Sequence, residues 1–284
     1  GAETVRSVVP DLSEGEIANT DFGEYTAEQY LDDLGRVTQY YCDPDLAETV
    51  VLNSTDTVQW LHGRGVRFVP RFGRYAFKHE GKLKFFGGTV VEATGGGRGL
   101  VEAEYKAAVK FGVDIRYGVR ATGLLRGPSG ICGVRVETKG VEEEIHAKAV
   151  VIAAGGFEAN REWRTRYLGA GWEMAKVRGT RFNTGDGIRM ALDAGAQAYG
   201  QWSGCHSVSW ERYAPDFGEL DRPITASRNG YPFSLMINAN GERFVDEGAD
   251  FRNYTYAKYG RVILSQPGQF AWQVFDSKVT KLLR

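Results

Sequence analysis

A continuous apolar run that ends in two glycines constrains the fold of this chain more than any other feature. Residues 149–154 are all apolar, and Gly155 and Gly156 follow directly. Such an uninterrupted run is typical of a strand that is buried on both faces of a sheet. The missing side chains after it would let a flat or extended ligand lie against backbone N–H groups at the carboxyl end of the strand. A strand followed by an ordinary tight turn explains the two glycines equally well.

A second glycine-containing motif lies at the start of a helix that the sequence predicts over 186–194. Thr184 or Asp186 is expected to cap this helix, and Gly185 and Gly187 would let the backbone approach a ligand. A helix N-terminus favours anions, whereas the Asp186 carboxylate would suit a ribityl or ribose hydroxyl. An ordinary capped helix is the alternative.

The rest of the chain mixes short helices and strands. Residues 1–25 show no periodicity and predict a loop or an extended arm. Elsewhere, capping residues before apolar segments predict helices, and Gly-rich turns between apolar segments predict strands and hairpins. The predicted helices cover 26–39, 44–63, 100–111 and a segment after Asn160, and the predicted strands cover 66–69, 77–86, 113–117, 118–125, 131–138 and 143–147.

Composition argues against several classes of function. A net charge of −1 gives no global attraction to nucleic acid or to an anionic membrane surface. No apolar run approaches the roughly 20 residues that a transmembrane helix needs. The three cysteines are odd in number and far apart, which favours a reducing, cytoplasmic compartment over a disulfide framework. We therefore expect no nucleic-acid partner, no integral membrane segment and no metal site.

In this order and at this spacing, the two glycine-containing motifs resemble the second half of the FAD-binding domain in the fumarate reductase and succinate dehydrogenase flavoprotein superfamily. Within that superfamily, the chain is most similar to the FAD-dependent tricarballylate dehydrogenase family. The resemblance runs from about Tyr25 to the end of the chain. The matching stretches are 153–163, 178–185, 204–206, 240–248, 256–261 and 266–269.

The resemblance implies an α/β fold with α+β elements. A partial FAD-binding domain of the glutathione-reductase-like type would cover 1–199, and the start of a fumarate-reductase-type capping domain would cover 200–284. The family opens with a βαβ unit whose Gly-x-Gly-x-x-Gly turn holds the FAD pyrophosphate. This sequence shows no such unit, because its Gly-rich stretch at 95–99 has the wrong spacing. The family also continues beyond Arg284, so the chain is expected to be an internal fragment.

The resemblance also implies which residues bind FAD, the expected cofactor. They are Ala121, Ala153, Ala154, Gly155, Gly156, Thr184, Gly185, Asp186 and Gly187. A surplus of positive charge over 161–189, where seven Lys or Arg face three acids, would suit a pyrophosphate and a polycarboxylate. A solvated surface explains the same surplus equally well.

Three residues are expected at the substrate. By resemblance, His206 binds a substrate carboxylate, because a histidine can donate to a carboxylate and gains by staying protonated beside it. A packed or surface histidine is the alternative. Thr225 and Arg228 fall where the fumarate reductases have a substrate contact and a proton relay. The acid that completes that relay in the family is missing between them here.

The activity that the resemblance implies is a dehydrogenation of a small carboxylate substrate. Hydride transfer to FAD would convert a carbon–carbon single bond beside a carboxylate into a double bond, and an external electron acceptor would then be needed. For the tricarballylate family, the product would be aconitate. One alternative is an enzyme of the same superfamily that acts on a fumarate-like acid or a 3-ketosteroid. Another is that the chain, as it stands, is an inactive fragment.

Overall fold

A computed structural model describes residues 2–85, 87–218 and 226–283. The chain divides into two compact units, an N-terminal unit over Gly1–Tyr117 and a C-terminal unit over Gly118–Arg284. Within the C-terminal unit, segments on either side of residue 200 are joined, for example by an ion pair of 2.8 Å between Arg161 and Asp216. A domain boundary at residue 200 therefore stays a prediction.

The N-terminal unit begins with two short helices where the sequence predicts a loop over 1–25. Helix α1 spans Ala2–Arg6, helix α2 spans Glu14–Ala18, and strand β1 spans Thr20–Asp21. The loop prediction is wrong because a single helical turn needs no visible period in order to bury one apolar face. The buried cluster that results is formed by Val5, Val8, Val9, Leu12 and Phe22.

Two longer helices follow, and both confirm the capping signals in the sequence. Helix α3 spans Ala27–Val37, and the Thr26 hydroxyl accepts a hydrogen bond from the Gln29 N–H over 3.2 Å. Helix α4 spans Pro44–Gly63, and the Asp43 carboxylate caps it. Such caps satisfy backbone N–H groups that the first helical turn leaves without a partner.

Short strands complete the N-terminal unit. The predicted hairpin is confirmed, but the strand predicted over 113–117 is wrong, because these residues are irregular. In one sheet, β1 runs parallel to β4, and β4 pairs antiparallel with β3; in another, β2 pairs antiparallel with β5. The elements are β2 (Phe68–Pro70), α5 (Phe72–Tyr75), β3 (Ala76–His79), β4 (Lys82–Phe85), β5 (Val91–Ala93) and α6 (Gly96–Lys110).

The C-terminal unit opens with an antiparallel meander of three strands, as the sequence predicts. It then becomes loop-rich, and strands β9 and β10 pair antiparallel near its end. No helix among the described residues is long and apolar enough to cross a membrane. The elements are β6 (Arg120–Gly127), β7 (Gly130–Thr138), β8 (Val141–His146), α7 (Arg161–Leu168), α8 (Asp186–Asp193), β9 (Ser234–Asn238), α9 (Arg252–Thr255), α10 (Tyr259–Leu264) and β10 (Ala271–Phe275).

The apolar run over 149–154 does not form a strand. Its residues pair with no strand in the described part of the chain. The side chain of Val151 is 89% exposed, and that of Ile152 is 40% exposed. The prediction of a strand buried on both faces is wrong for this chain, since a strand forms only against a partner that takes up its backbone hydrogen bonds. Apolar sequence shows that a segment favours burial, but it does not supply the partner.

Strand β9 gives a direct test of the core of the C-terminal unit. Met236 is fully buried, whereas the neighbouring Leu235 is 50% exposed. We expect Met236→Ala to lower the free energy of unfolding by about 2–5 kcal/mol, because it leaves a cavity in the core. Leu235→Ala is the matched control and should cost less than about 1 kcal/mol. Urea denaturation followed by circular dichroism measures both, and equal losses would contradict this assignment of the core.

Candidate functional site

The two glycine-containing motifs lie against each other. The Gly185 N–H donates to the Gly156 carbonyl over 3.0 Å, and the Ala159 N–H donates to the Asn183 carbonyl over 2.9 Å. The Asn183 side-chain amide also donates to the Glu158 carboxylate over 2.6 Å. These bonds fix the loop that follows the apolar run to the start of helix α8. We call this loop, residues 155–160, the glycine loop.

The missing side chains of two glycines make this contact possible. A Cβ atom on Gly187 would lie 2.7 Å from the Ile152 side chain and 2.8 Å from the Ala154 Cβ. A Cβ on Gly185, which has a φ of +84°, would lie 2.7 Å from the Trp163 ring. These distances are too short for real atoms. Both glycines therefore allow helix α8 to pack closely against the apolar run and helix α7.

Helix α8 begins without a capping side chain. Gly185, in the left-handed conformation, occupies the N-cap position. The Thr184 hydroxyl is directed back to the Phe182 carbonyl, 3.5 Å away, and Asp186 already lies in the first turn. The prediction that Thr184 or Asp186 caps the helix is therefore wrong. In the part of the chain that the structure describes, no side chain at the N-cap accepts from the N–H groups of the first turn, which leaves the positive end of the helix available to a ligand.

Ala121 lies beside the same helix. Arg120, the first residue of strand β6, donates to the Asp186 carboxylate over 3.1 Å. The Nη2 atom of Arg189, also in helix α8, lies 3.9 Å from the other oxygen of the Asp186 carboxylate. The start of β6, which carries the half-buried Ala121, is thereby fixed next to the start of α8. The structure thus brings together three of the segments that were predicted to bind FAD.

The exposed backbone beside this contact has the chemistry that FAD needs. Ala153, Ala154 and Gly155 are exposed. Within the described residues, their N–H groups form no hydrogen bond to another backbone carbonyl. Small side chains and unpaired backbone donors next to a helix N-terminus suit the ribityl and phosphate oxygens of a dinucleotide. Ala153–Gly155, Thr184 and the first turn of α8 would hold the cofactor.

Arg164, a buried arginine that sequence analysis did not single out, supports the glycine loop through a hydrogen bond. Arg164 is only 4% exposed and donates to the Glu158 carbonyl over 2.9 Å and to the Glu173 carbonyl over 3.1 Å. Burial, and then the charge of Arg161, lowers the pKa of Arg164 from its usual value. A buried cation is costly, so these carbonyls offset part of its lost hydration.

Four aromatic rings pack on the side of the glycine loop. The Tyr167 and Trp202 ring centroids lie 4.8 Å apart, and those of Phe157 and Trp163 lie 5.6 Å apart. Phe157 also stacks on Trp202 at 6.0 Å. We call these four residues the aromatic cluster. It joins the loop and helix α7 to the segment that leads to His206.

His206 is exposed and packs edge-on against Tyr256, with ring centroids 5.1 Å apart. Partial desolvation lowers the pKa of His206 below its usual value, and the positive charge of Arg178 lowers it further. The imidazole is therefore neutral near pH 7 in the absence of substrate. A bound carboxylate would favour the charged form, so protonation would be coupled to binding.

Arg228 has an acidic partner that lies outside its own sequence segment. Its Nη2 and Nε donate to the Glu211 carboxylate over 2.6 and 3.0 Å. This hydrogen bond, followed by one from the Tyr213 N–H, lowers the pKa of Glu211 below its usual value. The acid that the family pattern places beside Arg228 is missing from the local sequence, and Glu211 is the carboxylate that Arg228 binds. Thr225 lies outside the described residues.

One extended segment connects His206 to this ion pair. Ser207 bonds through its backbone to Ala257 on one side. The Ser209 carbonyl accepts from the Arg228 N–H over 2.8 Å on the other. The segment thus fixes the backbone next to His206 and at Arg228, two of the three predicted substrate residues. Among the described residues, no group of three or more side chains could hold a metal ion.

A family model for the FAD binding domain matches residues 11–280. The chain belongs to this family. FAD, which the sequence predicts, is confirmed as the cofactor of the family, and the α/β fold of a partial FAD-binding domain is confirmed as well. The membership shows which cofactor the family binds, while the contacts of individual residues with FAD stay a prediction.

The FAD binding domain of this chain is similar to parts of larger flavoproteins. It is 28% identical to the probable fumarate reductase Ifc3 of Shewanella frigidimarina over 267 residues, which cover 91% of this chain and 41% of that protein. It is 28% identical to a 3-oxosteroid 1-dehydrogenase of Mycobacterium tuberculosis over 195 residues, or 65% of this chain and 33% of that protein. A flavocytochrome c3 fumarate reductase in an open conformation superposes with a TM-score of 0.66 at 26% identity, covering 92% of this chain and 43% of that one. The chain therefore spans less than half the length of these relatives.

The 240–248 stretch, part of the predicted resemblance, forms a turn around a buried carboxylate. Glu247 accepts from Arg243 Nε over 2.9 Å and from the Met236 N–H over 2.6 Å. Burial raises the pKa of Glu247, but the hydrogen bonds from Arg243 and Met236 outweigh burial, so the pKa lies below its ordinary value of 4.5. The Arg243 guanidinium, which is otherwise exposed, is thereby held in one position.

The lowered pKa of Glu247 predicts how its contribution to stability depends on pH. A carboxylate whose pKa is depressed by folding stabilises the fold above its ordinary value of 4.5, and this contribution is lost as the pH falls below it. We expect Glu247→Gln to lower the free energy of unfolding at pH 7, and we expect the difference from the unmodified chain to shrink below pH 4.5. Urea denaturation at pH 7 and at several pH values below 4.5 measures it. Glu143→Gln, an exposed control on β8, should change little, and a Glu247→Gln difference that is independent of pH would contradict the assignment.

Proposed function

We propose that this FAD binding domain belongs to a dehydrogenase that oxidises a carbon–carbon bond beside a substrate carboxylate. The observation that carries the proposal is the exposed backbone of Ala153–Gly155, which lies beside the uncapped start of helix α8 because the next residue, Gly156, accepts a hydrogen bond from the Gly185 N–H. It offers a flavin a surface of small side chains and free donors. The same unit presents His206 and the Arg228–Glu211 pair for an acidic substrate.

The cofactor would supply the two-electron chemistry, accepting a hydride when it is bound. The chain's own residues would bind and orient. His206 would donate to one substrate carboxylate, and the Arg178 charge beside it would favour a substrate that carries negative charge. In the oxidation, the hydride of one carbon would pass to the bound flavin and the proton of the neighbouring carbon to a general base, and cationic groups at the carboxylate would stabilise the charge that develops there.

The substrate we favour is a tricarboxylate such as tricarballylate, which would give aconitate. This finer proposal rests on the resemblance of the motifs and on the positive charge of Arg178, which acts on His206. An external electron acceptor would complete the cycle. A fumarate-like acid is the second candidate, because a relative of this chain is a probable fumarate reductase. A 3-ketosteroid is the third, because another relative is a 3-oxosteroid 1-dehydrogenase.

The packing of Gly187 gives the first test, which concerns cofactor binding alone. Gly187→Ala would place a methyl group within 3 Å of Ile152 and Ala154 and so push the apolar run away from helix α8. Both purified proteins are incubated with FAD, and the excess is then removed. We expect Gly187→Ala to retain at most about one tenth of the flavin that the unmodified chain retains. Visible absorption near 450 nm and circular dichroism measure flavin content and folding.

A matched control is available at Gly179, where an added Cβ would meet no atom within 4 Å. Gly179→Ala should keep the flavin content of the unmodified chain. If Gly187→Ala binds FAD as well as Gly179→Ala does, the packed contact at α8 does not shape the cofactor site. If the unmodified chain keeps no flavin at all, the 284 residues alone do not hold FAD, and the alternative of an inactive fragment is favoured.

His206 gives the test of the substrate proposal. In the flavin-loaded protein, His206→Ala should lower kcat/KM for tricarballylate by about 100-fold while flavin content stays unchanged, because a charge-assisted hydrogen bond to the carboxylate is lost. The control is His146→Ala, because His146 is also exposed and lies on β8. This variant should leave kcat/KM unchanged. Turnover is measured with an artificial electron acceptor against tricarballylate, succinate and a 3-ketosteroid. Equal kinetics for His206→Ala would overturn the role of His206, and turnover of the steroid alone would overturn the carboxylate substrate.

A further inference from the structure

A pocket of about 390 Å³ opens in the C-terminal unit, and none of its lining residues is one that we assign to FAD or substrate. It lies between the end of helix α7, a turn at Trp172 and helix α10. Its volume falls within the range of small-molecule sites. The lining residues are Leu168, Ala170, Trp172, Ser203, Arg261, Leu264 and Ser265.

Arg261 is the only charged residue of this lining, and its guanidinium is held in place without an acid. Its Nη2 donates to the Ser203 carbonyl over 2.7 Å, and its Cζ lies 5.6 Å from the centre of the Trp172 ring. Its backbone N–H is fixed as well, donating to the Ser207 hydroxyl over 3.0 Å. Among the ion pairs of the described residues, none involves Arg261. A guanidinium has five N–H donors, so several remain for a ligand in a preorganised geometry.

The Ser203 hydroxyl adds a second donor. It accepts from the Gln201 side-chain amide over 2.6 Å, which leaves its own hydrogen available to the pocket. Glu173, the acid that follows the lining residue Trp172 in sequence, is already engaged by the Thr165 hydroxyl at 3.0 Å and the Gly171 N–H at 2.9 Å. An anion that enters the pocket would therefore meet two donors and no carboxylate of the lining.

The remaining walls are apolar and come from Leu168, Ala170 and Leu264. A ligand with one anionic end and a hydrocarbon body satisfies both parts of the pocket. A second carboxylate on that ligand would find no cation among the lining residues and would keep an unpaired charge at an apolar wall. The lining therefore discriminates against the polycarboxylates that we propose as substrates.

We propose that this pocket is a binding site for a small monocarboxylate with an apolar stem. Arg261 binds the carboxylate through two parallel N–H bonds, the Ser203 hydroxyl donates a third, and the leucines cover the stem. None of the lining residues has a role in the proposed dehydrogenase chemistry. The occupancy of the pocket can be measured with or without FAD, so the failure of one proposal leaves the other standing.

The test uses the whole chain labelled with ¹⁵N, with hexanoate as the probe. Hexanoate has a carboxylate and a short stem, whereas 1-hexanol has the same stem and no charge. The indole N–H signal of Trp172 is assigned with Trp172→Phe, and its shift is followed in heteronuclear NMR spectra as each probe is added. Hexanoate should shift the signal saturably, and 1-hexanol should bind at least about tenfold more weakly because it lacks the charge.

Variants locate the site. Arg261→Gln should weaken hexanoate binding about tenfold or more. Arg212→Gln is the matched control, since Arg212 also lies over an aromatic ring, that of Phe270, but does not line the pocket. The hexanoate affinity of this variant should equal that of the unmodified chain. Ser203→Ala keeps Arg261 and should weaken hexanoate binding by a smaller factor than Arg261→Gln does. This second variant still tests the site if Arg261→Gln disturbs folding.

Two results would overturn the proposal. Inorganic phosphate that binds as tightly as hexanoate would mean that the apolar walls select nothing and that the pocket is a general anion site. Equal hexanoate affinities for Arg261→Gln, Ser203→Ala and the unmodified chain, each with the spectrum of a folded protein, would show that these donors hold no carboxylate.

Discussion

The contact between the glycine loop and the start of helix α8 is the interaction on which the candidate site depends. Helix α8 can approach the apolar run only because Gly187 has no side chain, and the loop hydrogen bonds, Gly185 to Gly156 and Ala159 to Asn183, then fix the distance between them. This contact sets the Ala153–Gly155 backbone beside the helix N-terminus. Strand β6 joins the same point through the bond from Arg120 to Asp186.

The contact is supported from two sides, by Arg164 and by the aromatic cluster. Arg164 holds the glycine loop through the Glu158 carbonyl, at the cost of burying a positive charge. The aromatic cluster holds the other face and packs Trp163 against Gly185. A loop with so many glycines would otherwise lose much entropy on ordering, so its precision comes from its neighbours rather than from its own conformational preference.

Local features of this chain were predictable from sequence because their causes are local. The caps of α3 and α4 and the turns of the β6–β8 meander need only residues that are close in sequence. The assignment of the two glycine motifs to one FAD-binding domain followed from their order and their resemblance to a family. The prediction of a strand over 149–154 was wrong, because a strand forms only against a partner that local sequence does not specify.

Long-range pairs account for what the sequence could not show at the site. Glu211 lies 17 residues before Arg228, and no spacing rule links an acid and an arginine at that distance in irregular backbone. The burial of Arg164 is equally invisible, since it stands in a helix turn that looks solvated and basic. Both depend on where the loops cross, which only the folded chain determines.

The aromatic cluster has a spectroscopic consequence. Two of its members, Trp163 and Trp202, are tryptophans, and Phe157 connects them to the glycine loop. Indole emission overlaps the near-ultraviolet absorption band of an oxidised flavin, so excitation energy passes efficiently between such chromophores when they are a few nanometres apart. The fold has therefore placed an intrinsic energy donor beside the backbone where the cofactor is expected. Arrival and departure of the isoalloxazine would be recorded in the lifetime of the protein's own fluorescence, without any added dye.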